Sequence, residues 1–343
     1  MMLQSLSVVH APMEIAGQVG TICRFLRKAG IQAVGYNYFP SYLNYEGTIV
    51  TDSYELIKLA QNMIEHFDLF HFHNGYTLFD DFRDIEMIRE AGKRIIMHHR
   101  GNDVRFRSRA RKMPHYENPY VYAENSLPDE KIDRNLWYFA EHVSAAIVQD
   151  HELLPYVEDY YAAKGKKVYV LPRLFDIGRC SPKYPARGNR EVLIVHAPTD
   201  RDFKGTEYVN RTIERLKEEL PVRYRLIEKM SHQEAWKILE QADIVIDQIL
   251  CGAYGNLSVE GMALGKPVVC YIRPDLVDKY PPGLPIQSAN PDTLYDVLKE
   301  LVRQPELRVE LGRRGRRYVE NHHHAEKVVR SLIAIYQEVM GGE

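Results

Sequence analysis

Short apolar runs alternate along most of the chain with stretches whose apolar residues recur at helical spacing. That alternation predicts an α/β architecture built on parallel sheets. In the first half the strand candidates are Leu6–His10, Ile31–Tyr36, Leu69–His73, Arg94–His98, Ala145–Val148 and Val168–Leu171. Helical spacing falls at Gly17–Ala29, Tyr54–Glu65, Arg83–Ala91 and Asn135–His142, with Gly30 and Gly92 as stop signals.

Residues 172–190 break the pattern. Pro172, Gly178, Pro182, Pro185 and Gly188 lie in a mostly polar stretch, the composition of an interdomain linker. A second alternation follows, with strands at Val192–His196, Arg223–Ile227, Ile244–Ile246 and Val268–Ile272. Helices are expected at Thr206–Leu220, His232–Gln241 and Leu257–Leu264, and from Asp292 onward the pattern is helical and charged. The expected organisation is an N-terminal domain over 1–171, a linker over 172–188 and a C-terminal domain over 189–324. Ligands of open α/β sheets bind at the carboxyl ends of the strands, so a cleft between such ends is the expected site.

Composition narrows the class. A chain of 343 residues with 45% hydrophobic and 27% charged residues reads as globular rather than disordered. Its formal net charge of -2 gives no global attraction to nucleic acid or anionic membrane. Cys23, Cys180, Cys251 and Cys270 are widely spaced, without a CxxC pair, which argues against a structural zinc site or a disulfide framework. The N-terminal MMLQSLSVVHAPM lacks a signal-peptide pattern, and no window reaches the roughly 18 apolar residues of a membrane span. A cytoplasmic protein is expected.

The most informative segment is VLIVHAPTDRDFKGT, residues 192–206. A buried strand ends at His196, a polar loop carries Arg201 and Lys204, and Gly205 turns the chain into a helix started by Thr206. Two cations and helix N–H groups then meet at a sheet edge, where a phosphate can be held. Spacing alone is equally served by solvated loop charges. Downstream, the strand Ile244–Ile246 runs into Gly252-Ala253-Tyr254-Gly255, and Asn256 is a good N-cap for a helix carrying Glu260. Glycines there allow close backbone approach, and a helix N-terminus favours anionic groups.

From Lys204-Gly205-Thr206 through Ala242-Asp243-Ile244 to Glu260-Gly261-Met262-Ala263-Leu264-Gly265-Lys266-Pro267-Val268-Val269, order and spacing resemble the donor domain of glycosyltransferase family 4, among the group 1 glycosyltransferases. The resemblance implies a GT-B fold, with two Rossmann-like domains facing across a cleft and the last helix, about 325–343, returning to the first. It implies a hexosyltransferase-type enzyme of polysaccharide or glycoconjugate synthesis. That enzyme would retain configuration, need neither metal nor cofactor, and use a UDP- or GDP-linked sugar as substrate. Lys204 matches the family lysine on the donor diphosphate, and Glu260 the second glutamate of the E-x7-E motif. Gly252 stands where that motif has its first glutamate, with Asp247 or Gln248 as partial compensation. The donor set is Gly17, Arg201, Lys204, Gly252, Tyr254, Gly255, Asn256 and Glu260. Rival functions are a nucleotide-sugar-binding protein derived from a transferase and a GT-B-fold nucleotide-sugar epimerase.

In the first half, DLFHFHN (68–74) puts His71 and His73 on one face of the pleat, and RIIMHHRGNDVR (94–105) carries the acceptor-side candidates. His99 is the expected catalytic group there, with Arg100 competing and His73 and Asp103 nearby. The acceptor is a glycan, a lipid-linked sugar or a small molecule. The basic run from Arg105 to Lys112 is a candidate for peripheral contact at the inner face of a membrane, and nucleic acid is not expected. His322-His323-His324 sit about 100° apart on a helix and cannot share one metal.

Overall fold

The computed structural model describes residues 6–39, 41–112 and 127–341. The chain divides into two units: one holds Met1–Arg107, Asn125–Leu174 and Ala325–Glu343, and the other is built on Phe175–His324.

In the first unit β1 (Ser7–Ala11), β2 (Gln32–Asn37), β3 (Ile49–Val50), β4 (Leu69–His73), β5 (Arg94–His99), β6 (Ala145–Val148) and β7 (Val168–Val170) form one parallel sheet in the order β3-β2-β1-β4-β5-β6-β7. β1, β4 and β6 are buried at every residue, because helices cover both faces of a parallel sheet and its strands become continuous apolar runs. Strand order reverses between β1 and β4, and their carboxyl ends define the place where this fold binds ligands. Helix Gln18–Lys28 and the final helix Ala325–Gly341 share an apolar cluster of Val19, Ile22, Leu26, Val329, Leu332 and Tyr336. Each such aliphatic side chain contributes about 1.5–3 kcal/mol of burial.

In the second unit β8 (Val192–His196), β9 (Val222–Leu226), β10 (Ile244–Ile246) and β11 (Val268–Val269) are parallel in the order β11-β10-β8-β9. The reversal here falls between β8 and β10. Helix Thr206–Lys217 buries Val209, Ile213 and Leu216 at helical spacing. Helix Pro305–His322 packs on helix Asn256–Ala263, and glycine permits it: a Cβ on Gly312 would meet the Gly265 carbonyl oxygen at 2.1 Å. Among the described residues no helix is long and apolar enough to cross a membrane.

Three local expectations change. Helix Asp129–His142 begins a charged turn before Asn135, since only Ile132 of that turn is buried. Helix Leu154–Ala162 was not legible, because its buried face is Tyr156, Val157, Tyr160 and Tyr161, an aromatic stripe that reads as half polar. The last strand stops at Val269, where the Cys270 amide turns to Gln287 and the Tyr271 amide to Gln248.

Gly312→Ala should destabilise the protein by about 1–3 kcal/mol through overpacking against backbone. Gly188→Ala, with open space around it, should change stability by less than about 0.5 kcal/mol. Urea unfolding of both variants checks the contrast.

Candidate active site

Lys204 is the last residue of a single helical turn, Arg201–Lys204, capped by Asp200 and ended by Gly205 in the left-handed region at φ 73°. A side chain on Gly205 would also meet Ile249 at 2.7 Å, so this turn-to-helix junction requires glycine. The Lys204 ammonium donates to Asp247 Oδ1 at 2.8 Å and to Gln248 Oε1 at 2.7 Å. Asp247 follows β10 and is wholly buried. Its Oδ2 accepts from the Gly255 amide and the Ser258 hydroxyl, both at 2.7 Å. Burial pushes the Asp247 carboxyl up, but Lys204 and these donors outweigh it and hold it below its ordinary 3.8. One carboxylate thus gathers the loop after β8, the loop after β10 and the start of helix Asn256–Ala263, at the β8/β10 reversal.

That helix begins one residue earlier than expected. Gly255 is its N-cap and Asn256 lies inside the first turn, with its Oδ1 buried and unpartnered. The first-turn amides of a helix have no intrahelical acceptor and point outward at its start. Glu260, one turn on, accepts from His232 Nε2 at 2.8 Å. His232 opens helix His232–Leu239, fixed by a capping box of Ser231 and Glu234. The sequence pattern Ser-x-x-Glu marks that helix start, but nothing in it foretells the pairing with Glu260.

Arg201, Tyr254 and Gly252, also expected in the donor set, have neighbours of their own. Arg201 forms a two-point pair with Glu228 at 2.6 and 2.5 Å and does not join Lys204 at Asp247. Tyr254 is buried against Tyr280, and its hydroxyl meets His323 Nε2 at 3.1 Å. Gly252 is left-handed at φ 85°, and a Cβ there would meet Arg273 at 2.8 Å. Asp247 and Gln248, the expected partial compensation for the missing acid, are both engaged with Lys204 and the glycine loop. His196 at the end of β8 is structural: Nδ1 donates to Ile246 O and Nε2 accepts from Thr206, while burial pulls its pKa to about 4.

In the first unit, His99 is buried with both ring nitrogens occupied, by Asp103 at 2.6 Å and Tyr161 at 3.0 Å. Asp103 also accepts from the Arg100 and Gly101 amides, so the pair ties down the loop after β5. Arg100, the competing acceptor-side candidate, lies at the start of that loop. Arg100 donates to His73 Nδ1 at 3.3 Å, and burial brings its pKa to about 10 against the pull of Glu14. Arg105 also departs from expectation. It is a buried partner of Glu152, at 2.6 to 3.0 Å over three hydrogen bonds, and is not a solvated member of a basic run.

The histidines at the β1/β4 reversal form a chain with one direction. His10, His71, His73 and His98 are buried, and burial holds all four well below the usual histidine range, so their rings are neutral. Arg100 can only donate, so His73 Nδ1 accepts and its Nε2–H goes to His10 Nδ1 at 3.0 Å. His10 Nε2–H then reaches Tyr336 Oη, which donates to His71 Nδ1, and His71 Nε2–H donates to His98 Nδ1. His98 Nε2 ends the chain, buried and without an acceptor. Nitrogens of His10, His71 and His73 lie within 4.8 Å of one another, as in a metal site. A cation there would have to displace the Tyr336 hydroxyl and sit beside the Arg100 guanidinium, so this donor set fits the hydrogen-bond chain better. Gly17 is a left-handed N-cap at φ 72°. The Val19 and Gly20 amides just after it are taken by the Glu14 carboxylate at 3.2 and 2.8 Å, a residue that sequence reading overlooked.

Residues 193–334 match the family model described as glycosyl transferase-like. A 118-residue stretch is 27% identical to an uncharacterized glycosyltransferase of Methanocaldococcus jannaschii, and it spans 33% of each chain. A glycosyltransferase of Rickettsia africae superposes with a TM-score of 0.66 at 12% identity, over 99% of this chain and 100% of that one. Sucrose-phosphate synthase of Thermosynechococcus elongatus gives 0.62 at 11% identity, over 98% and 100%. Anabaena HepE, solved with UDP and glucose, gives 0.59 at 10%, over 97% and 99%. The whole chain has the GT-B fold of these neighbours, and residues 193–334 within it are similar to the glycosyl transferase-like family.

Proposed function

We propose that the protein transfers a sugar from a nucleoside-diphosphate donor to an acceptor hydroxyl. The observation that carries this reading is Lys204, held by Asp247 beside a glycine loop and a helix start where Asn256 Oδ1 has no partner. A cation, outward first-turn amides and an unused buried acceptor together suit a diphosphate and its attached sugar. Asp247 and Gln248 fix the ammonium before any ligand arrives, so no reorganisation is needed as charge grows on the leaving diphosphate. Glu260, oriented by His232, is the group for the ribose hydroxyls. Arg201 is a remote member at most, since its guanidinium is already engaged by Glu228. On the acceptor side the reading rests on Arg100, aimed by the histidine chain.

Family 4 membership in particular, retention of configuration, independence of metal and a UDP or GDP leaving group are part of the proposal, supported by the motif from Lys204 to Val269 and by the neighbour holding UDP. The acceptor is proposed as a glycan or lipid-linked sugar, and the site of action as the cytoplasm.

Titration with UDP and GDP should show one of them binding. Lys204→Ala should weaken that binding about tenfold or more, the worth of a charged hydrogen bond. Glu260→Ala should weaken it too. Unchanged affinity in both variants removes this site from the reading. With a donor sugar and acceptors supplied, release of nucleoside diphosphate is expected. Binding without release across acceptors supports the binding-protein alternative, and an epimer formed without acceptor supports the epimerase. Gly252→Glu, which restores the family acid, should lower stability by about 1–2 kcal/mol rather than raise activity, because the position is left-handed. Thermal unfolding together with turnover checks it.

A further inference from the structure

The amino ends of β5, β6 and β7 lie at the edge of the first sheet opposite the histidine chain, and there the surface carries a groove of about 500 Å³. Arg89, Lys93, Arg94, His142, Lys166 and Lys167 line it, against Glu141 and Glu338. Most of these charges are spoken for. Lys167 pairs with Glu338, Lys164 with Glu141, and Lys93 with Asp68 at 3.6 Å.

Neither Arg89 nor Lys166 pairs with a carboxylate among the described residues. Arg89 donates to His142 Nδ1 at 2.7 Å, and Lys166 donates to the backbone carbonyl of Glu141 at 2.6 Å. With Nδ1 accepting, a neutral His142 has its Nε2–H as a further donor. Burial, with Arg89 adding its charge, lowers the His142 pKa. Lys166 is pulled down to about 8 by burial, with Glu141 opposing and Arg89 and Lys164 adding to the fall. Arg89 and Lys166 thus bear on one another, and Arg89 on His142, at an open groove. Glu141 opposes the fall of both His142 and Lys166, and Glu86 that of His142, but among the described residues neither carboxylate is hydrogen-bonded to any of the three.

We propose that this groove binds a phosphate group through Arg89, His142 and Lys166. A dianion there relieves the mutual repulsion and accepts from all three, as compact charge-assisted sites do. The phosphate belongs to a small phosphate ester in solution or to an anionic lipid headgroup. The site lies at the opposite edge of the sheet from the strand ends at β1 and β4.

The test titrates pyrophosphate into the Lys204→Ala protein, which lacks the candidate donor cation, with and without added Arg89→Ala and Lys166→Ala. Binding should be present and should weaken about tenfold or more in the added double substitution. Lys166→Arg should keep it, and unchanged melting temperatures exclude unfolding as the cause. Sedimentation with phosphatidylglycerol vesicles, against phosphatidylcholine vesicles, separates the sources. Vesicle association lost in the double variant assigns a headgroup, whereas pyrophosphate binding without vesicle association assigns a soluble ester. If the double substitution changes neither readout, the groove is not an anion site.

Discussion

A fully buried carboxylate is stable only when each of its oxygens is paired, and Asp247 meets that requirement with groups from three separate segments. Lys204 arrives from the loop after β8, Gly255 from the glycine loop, and Ser258 from the first turn of the following helix. Losing any one of them would leave charge in a low-dielectric interior. The backbone of the site is therefore set by electrostatics as much as by packing. Gly205 and Gly255 must be glycine for the segments to come close enough: a Cβ on Gly255 would lie 2.8 Å from Asp247 Oδ2. Lys204 is thereby held in place with part of its side chain exposed.

The first unit solves a related problem without net charge. Its histidines sit where a polar edge is needed but water is excluded, and neutrality with complete hydrogen bonding is the low-cost solution. The direction of the chain is imposed at one end by Arg100, which has no acceptor, and carried through Tyr336 from the last helix. Among the ring nitrogens His98 Nε2 remains unsatisfied, the expected remainder when every ring passes one proton along.

Much of this was legible in the sequence because its signals are local. β4, β6, β8 and β10 coincide with apolar runs whose ends carry polar residues or glycine, and Lys204, Gly205 and Glu260 stand in a spaced motif. What escaped depends on three-dimensional pairing. A lone Arg105 in a basic run gives no hint of Glu152 across the unit, nor does Glu260 of His232. Glu14 looks like an ordinary loop acid until the Val19 and Gly20 amides are seen to need an acceptor. The sequence around His99 likewise gives no hint that Tyr161, from a distant helix, and Asp103 occupy its two ring nitrogens.

The pairing of Lys204 with Asp247 is the interaction on which the site depends. A double-mutant cycle of Lys204→Met and Asp247→Asn, read by denaturant unfolding, measures it directly. The predicted result is a coupling energy of about 1–3 kcal/mol between the two positions. Single effects that simply add, within about 0.5 kcal/mol, would contradict it.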